Sequence, residues 1–128
     1  DIILALGKSL IEGNEGDDIL IGGGRGDTLS GGTGNDVLYG GRGKDTFIFR
    51  NGYDSDMIVD FDAGRRTRQN FIAGDMITID VAGIDSFNDL MGVATDTGNG
   101  VLFAFGSDEL FLRGTQLAAL DKNSFTFV

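Results

Sequence analysis

Four aspartates stand nine residues apart, at Asp18, Asp27, Asp36 and Asp45, and two positions after each comes a large apolar residue: Leu20, Leu29, Leu38 or Phe47. The blocks that carry them read GNEGDDILI, GGGRGDTLS, GGTGNDVLY and GGRGKDTFI, from Gly13 to Ile48. Blocks three and four satisfy G-G-x-G-x-D-x-U-x, with U a large apolar residue, at every fixed position. Block one has Asn14 at the second glycine. Block two has Arg25 at the third glycine, with Gly26 beside it. Two residue types held in phase over four blocks mark an internal repeat. Carboxylates that recur among glycines with uncovered carbonyls form a donor set suited to a hard cation.

The elements that must position these groups emerge from the same pattern. The glycines permit tight turns with positive φ. Each x-U-x triplet is a short strand with one inward apolar side chain between two outward ones. Turn and strand in alternation coil into a solenoid of parallel strands, two blocks to a coil. Asp18 then lies over Asp36, and Asp27 over Asp45. Stacked carboxylates repel unless a counter-ion separates them. A cation taking about six to eight oxygens fits that gap, and calcium is the expected ion. Magnesium demands stricter octahedral geometry, and no soft ligand is present to hold zinc or copper.

The blocks resemble the RTX (haemolysin-type calcium-binding) nonapeptide repeats of bacterial secreted proteins. The chain beyond Phe47 is similar to the C-terminal domain of serralysin-type metalloproteases and other type I-secreted proteins. The matching stretches are DTFIF (Asp45 to Phe49), the D-x-I-x-D-F run of Asp56 to Phe61, and GDMITID (Gly74 to Asp80). The resemblance implies an all-β chain: a parallel β-roll, then a small antiparallel meander with one or two short helices. It implies ions held between turns one coil apart, by carbonyls of positions two and four plus the Asp of the earlier turn, and by carbonyls of positions one and three plus the Asp of the later turn. One site then uses Asn14, Gly16 and Asp18 with Gly31, Thr33 and Asp36. A second uses Gly23, Arg25 and Asp27 with Gly40, Arg42 and Asp45. A third pairs Gly32, Gly34 and Asp36 with Phe49, Asn51 and Asp54. A fourth sets Gly22, Gly24 and Asp27 against a turn with Ser9 where an Asp is wanted. Asp56, Asp60 and Asp75 are expected to close the last turn around Gly41, Gly43 and Asp45, although solvated loop acids would show the same charge pattern.

Composition bounds the rest. At 128 residues one domain is the natural count. We expect residues 1–12 to be a capping coil, 13–57 the roll, and 58–128 an antiparallel C-terminal cap. The 22 glycines without proline suit tight-turned β structure and exclude collagen. A net charge of −10 repels phosphate, which argues against a nucleic-acid partner. There is no cysteine, so metal replaces the disulfide as the staple of a secreted fold. No signal peptide or membrane-spanning run is present. Asp1 in place of Met leads us to expect the C-terminal piece of something longer.

Several short motifs compete with this reading. Gly7-Lys8-Ser9 ends like a phosphate-binding loop, but Ile2 stands where its first glycine is required. Arg25-Gly26-Asp27 spells an integrin-type tripeptide, yet its Asp is already claimed by the repeat phase. Gly22-Gly23-Gly24 keeps the nine-residue period rather than opening a helix, so it is no dinucleotide loop. Gly64 to Ala73 interrupts the resemblance with Arg65, Arg66 and Arg68. A solvated loop is one reading, and a docking site for acidic polysaccharide or headgroups is the other. The alternating stretches from 45 to 61 predict the change to antiparallel pairing. Ser86 with Asp89 predicts a capped helix, and 115–121 a second short helix. Turns are expected at Thr97 to Gly100 and Gly106 to Asp108. The end, Asn123 to Val128, resembles the C-terminal export signal of type I secretion substrates, and it reads equally as a last strand at the meander's edge.

Two classes of function emerge. One is a secreted, non-catalytic module that binds calcium outside the cell, with a type I exporter and an upstream catalytic or adhesive domain as partners. The other is catalysis, for which no histidine or cysteine is available and every phased Asp is already assigned. A carbohydrate-binding module of the alginate-enzyme kind is a further alternative, as is a part of a secreted metalloprotease, which the resemblance implies.

Overall fold

The x-U-x triplets fold as the pattern predicts. Ile19–Ile21 (β3), Thr28–Ser30 (β4) and Val37–Tyr39 (β5) are three-residue strands whose central leucines are buried. The computed structural model describes residues 1–66, 71–72 and 74–128. Successive triplets alternate between two sheets. One runs β1-β3-β5-β7-β13-β12-β11 and the other β14-β10-β6-β4-β2, with β1 at Ile2–Leu4, β2 at Leu10–Glu12, β6 at Thr46–Arg50 and β7 at Ser55–Ile58. The later strands are β10 at Met76–Asp80, β11 at Ala94–Asp96, β12 at Gly100–Phe105, β13 at Asp108–Arg113 and β14 at Phe125–Phe127.

Register lines the apolar residues into two facing columns. In the first sheet Leu20 pairs with Leu38, Leu38 with Ile58, and Ile58 with Leu112. In the second, Ile11 pairs with Leu29, Leu29 with Phe47, Phe47 with Ile77, and Ile77 with Phe125. These columns meet as one core, in which the full burial of a leucine or phenylalanine contributes roughly 1.5–3 kcal/mol.

The change to antiparallel pairing comes later than 45–61. Strands β6, β7, β10, β13 and β14 all pair in parallel with a neighbour in the coil, and antiparallel pairing joins β11, β12 and β13. The physical reason is that an inward apolar residue continues to arrive in register after the glycine motif stops. The terminal strand likewise pairs with β10, in parallel and in the second sheet, not at the meander's edge. A two-stranded pairing of Arg65–Arg66 (β8) with Phe71–Ile72 (β9) sits in the inserted stretch. Thr67, Arg68, Gln69, Asn70 and Ala73, on which part of the docking-loop expectation falls, lie outside the described residues.

The helix at Phe87–Gly92 (α1) is capped by Ser86, whose Oγ accepts the Asp89 N–H at 3.1 Å. The second expected helix is a single 3₁₀ turn at Leu117–Ala119. Within residues 1–12, β1 and β2 pair in parallel with β3 and β4, and Leu6 and Leu10 are 93% and 65% exposed.

Candidate metal centre

The turns are built where side chains cannot fit. Gly16, Gly34 and Gly43, at position four of blocks one, three and four, have φ of 101°, 113° and 100°. At position two, Asn14 adopts φ 73° beside 89° at Gly32 and 85° at Gly41, since asparagine tolerates the left-handed region. A Cβ added to Gly32 would strike the Asn14 carbonyl, and one on Gly34 the Gly16 carbonyl. Thus the position-two and position-four carbonyls of one turn point at the turn one coil later. The block-two turn is different. None of Gly23, Gly24, Arg25 and Gly26 has positive φ, so Arg25 is accommodated without the strain that a side chain at position four would otherwise incur.

A ladder of carboxylates runs up each side of the roll. Oδ1 of Asp36 accepts the Asp18 N–H at 2.8 Å, and Oδ1 of Asp56 accepts the Asp36 N–H at 3.1 Å. On the other side Asp27 accepts from Ser9, Asp45 from Asp27, and Asp75 from Asp45, each at 2.8 Å. The first oxygen of each acid therefore holds the backbone of the coil before it. The second oxygen decides the chemistry. Oδ2 of Asp18, Asp36, Asp45 and Asp56 is buried with no hydrogen-bond partner in the structure. An ionised oxygen left so is costly to bury.

The consequence is visible in proton affinity. Burial pushes the carboxyls of Asp36 and Asp45 up, and the neighbouring carboxylates Asp18 and Asp27 add to the effect. Burial raises Asp56 to about 8 and Asp75 to about 6, against partial relief from the backbone N–H groups they accept. Each of these four carboxyls therefore binds a proton more tightly than a free one does.

The residues present fit a hard cation. The carbonyl oxygen of Gly31 and Oδ2 of Asp18 converge on the point a Gly13 side chain would fill, and those of Gly40 and Asp27 on the corresponding point at Gly22. Among the described residues no group of three acidic, histidine or cysteine side chains is arranged to hold a metal by itself. Carbonyls must supply most donors, which favours calcium over zinc. Two of those carbonyls also accept hydrogen bonds: Asn14 from the Thr33 N–H at 2.8 Å and Gly23 from the Arg42 N–H at 3.1 Å. A carbonyl has two lone pairs, so this does not disqualify them.

The remaining expected residues divide. Asp60 accepts the N–H groups of Gly40 and Gly41 at 2.8 and 2.9 Å, and Asp75 takes those of Asp45 and Asp62, both at 2.8 Å, so these two close the last turn. Asp56 belongs to the opposite ladder. In the third pairing, Asp54 reaches the Gly34 N–H at 3.0 Å, but Asp56 stands over Asp36. Phe49 buries its side chain in β6 and Asn51 turns its Oδ1 to the Ala82 N–H, while the donors expected at both are backbone carbonyls. The shift arises because this coil is 20 residues long instead of 18. Asp108 carries no repeat signal in the sequence. Its two oxygens accept from Gly52 and Asp54, both at 3.0 Å, across 56 and 54 residues of chain, a distance that no local motif signals.

The family model described as "RTX calcium-binding nonapeptide repeat (4 copies)" matches residues 6–24 and 21–56. Residues 6–56 are RTX calcium-binding repeats. The RTX roll is similar in fold to the extracellular lipase LipA from Serratia marcescens, at 22% identity and a TM-score of 0.73 over 98% of this chain. The chain spans 21% of the length of that lipase. The AlgE6R3 subunit of the Azotobacter vinelandii mannuronan C5-epimerase matches at 26% identity, over 93% of this chain and 78% of its own, with a TM-score of 0.41. No curated protein sequence matches. Among the described residues, no helix is long and apolar enough to cross a membrane.

Proposed function

We propose that this chain is a non-catalytic module whose coils close on calcium outside the cell, after export, and so stabilise the protein that carries it. The observation that carries the reading is the set of buried, unpartnered Oδ2 atoms on Asp18, Asp36, Asp45 and Asp56 between stacked glycine turns. Asn14, Gly16 and Asp18 with Gly31, Thr33 and Asp36 would hold one ion. Gly23, Arg25 and Asp27 with Gly40, Arg42 and Asp45 would hold a second. A third would use Gly32, Gly34 and Asp36 with Asp54, and Asp56 as the stacked carboxylate. When bound, calcium neutralises facing carboxylates and takes up the oxygens that no N–H reaches.

The chain's own residues set the rest. Glycines bring the carbonyls close, the apolar columns hold the turns in register, and the Asp-to-backbone hydrogen bonds fix each turn to the one before. At a hundredfold excess over its Kd, one bound ion adds about 2.7 kcal/mol to folding. Two such ions are comparable with the whole stability of a small domain, about 5–15 kcal/mol. Where calcium is scarce, the acidic coils stay open for a type I exporter. Where it is abundant they fold and give the meander a surface to pack on. An upstream catalytic or adhesive domain would supply the activity of the parent protein.

The test is a calcium titration followed by far-UV circular dichroism and by calorimetry. Strand signal should appear with calcium and disappear with chelator. A chelated protein that kept its full β content and heat resistance would overturn the reading.

A further inference from the structure

The roll fixes only the inward position of each x-U-x triplet, so the outward residues are free to vary. The two outer faces nonetheless differ. On the second sheet Thr28, Thr46, Thr78 and Thr126 stand outward. On the first, register sets Ile19 beside Val37, Val37 beside Met57, Met57 beside Phe111 and Phe111 beside Leu102. This is an unbroken apolar row across neighbouring strands, about 19 Å long at the ladder spacing. Ile19 is 36% exposed, the others are half-buried, and none of them packs against the core. A contiguous apolar strip marks an interaction site in a way that an isolated exposed leucine does not.

Where it reaches β13 and β12, the row meets a cavity of 600 Å³ lined by Met57, Leu102, Phe111, Thr97, Asn99 and Arg113. Gly100 shapes its floor: a Cβ there would lie 2.9 Å from the Phe111 ring, so the ring lies down over the glycine. Arg113 stands opposite Gly100 on the neighbouring strand. Among the described residues the ion pairs are Asp1 with Asp18 and Arg50 with Asp80, so Arg113 has no carboxylate partner. Glu109, on the same face of β13, is about 14 Å along the strand from it. Asn99 uses only its backbone in hydrogen bonds, which leaves its side-chain amide open. A free guanidinium and amide beside an apolar strip suit a molecule with an anionic head and an apolar tail.

We propose that this groove binds a free long-chain fatty acid. The carboxylate pairs with the Arg113 guanidinium and accepts from the Asn99 amide. The tail lies over Phe111, Leu102 and Met57, then along the row towards Val37 and Ile19. Charge complementarity selects this occupant. A bilayer surface calls for a cluster of basic residues, whereas Arg113 stands alone in the groove of an acidic chain. A second copy would bring another net charge of −10 to the same face. A strip this narrow also offers less than the ~800 Å² per partner of a standard interface. The site needs the folded roll but uses none of the oxygens proposed to hold calcium.

The test is calorimetric titration of the calcium-folded chain with dodecanoate, kept below its calcium-soap limit, and separately with dodecanol. Dodecanoate should bind saturably. Arg113→Gln should weaken dodecanoate about tenfold or more and leave dodecanol unchanged. Leu102→Gln should weaken both. Equal dodecanoate affinity in Arg113→Gln and the unsubstituted chain overturns the proposal. So does a chain that gains its strand signal with calcium yet binds neither amphiphile, a result that leaves the calcium reading standing. Preference for phosphatidylcholine vesicles containing phosphatidic acid over free dodecanoate also overturns it, as does a dimer in sedimentation that dodecanoate does not dissociate.

Discussion

Asp36 and Asp108 are both buried beside a turn of the roll, and they solve the same problem in opposite ways. Asp36 spends one oxygen on the Asp18 N–H and leaves the other bare. Asp108 places each oxygen on an N–H, of Gly52 and of Asp54. Asp60 does the same with Gly40 and Gly41. Carboxylate count alone therefore does not locate the cation. The stacked turns leave Oδ2 of Asp18, Asp36, Asp45 and Asp56 without a donor, whereas Asp27 has the Ser9 N–H on one oxygen and the Gly23 N–H on the other, and the closing turns supply both oxygens of Asp60 and Asp108.

Substitutions can erase this contrast. The largest effect is expected for Asp36→Ala, which removes a ligand shared by two proposed sites. Calorimetry should show weaker calcium binding than in Asp18→Ala or Asp45→Ala, and equal losses in all three would remove the case for sharing. Gly31→Ala tests the same oxygen from the other side, since the added methyl runs into Oδ2 of Asp36. Its calcium affinity should fall while Asp36 itself is intact.

Next in size is a pH effect on the chelated protein. Asp56 and Asp75 bind protons more tightly folded than at their ordinary value of 3.8, with folded values of about 8 and about 6. The stability they contribute is therefore complete below the ordinary value and is lost as pH rises through about 6 and then about 8. In chelator, any residual strand signal should be largest at acid pH and fall towards mildly alkaline pH. With calcium the trend should reverse, because protons compete with the ion for the same oxygens. A chelated strand signal that rises with pH would contradict the burial argument.

A smaller effect is expected for Asp108→Ala. Two N–H groups lose their acceptor, at a cost on the order of 1–3 kcal/mol in calcium-saturated urea unfolding. Calcium affinity per site should be unchanged. Loss of a calcium equivalent would make Asp108 a ligand and erase its contrast with Asp36. The smallest effect belongs to Gly24→Ala, where an added Cβ meets nothing within 4 Å and φ is not positive. Stability should move by less than about 0.5 kcal/mol.

The roll was legible because its signal is periodic: Asp18 to Asp45 and Leu20 to Phe47 keep one phase, and a fixed phase fixes what stacks on what. Legibility failed where the coil length changed. Two extra residues before β7 put Asp56 where Asp54 was expected, and the sequence carries no mark of which acid takes the place. It failed again for pairings over long separations, such as β7 with β13 and β10 with β14, because parallel neighbours need no turn signal between them. Asp60 and Asp75 were named by resemblance alone, and the structure adds their hydrogen bonds to Gly40, Gly41, Asp45 and Asp62. Asp108 had neither phase nor resemblance to announce it.

The direction of the Asp-to-backbone hydrogen bonds has a kinetic consequence. Up both ladders the acceptor lies later in the chain than the donor, so each coil is latched by its successor. If the C-terminal end is closed first, where both oxygens of Asp60 and of Asp108 already sit on N–H groups, each earlier coil finds its acceptor in place. A polypeptide emerging tail first into calcium would have its coils secured in the order in which they arrive.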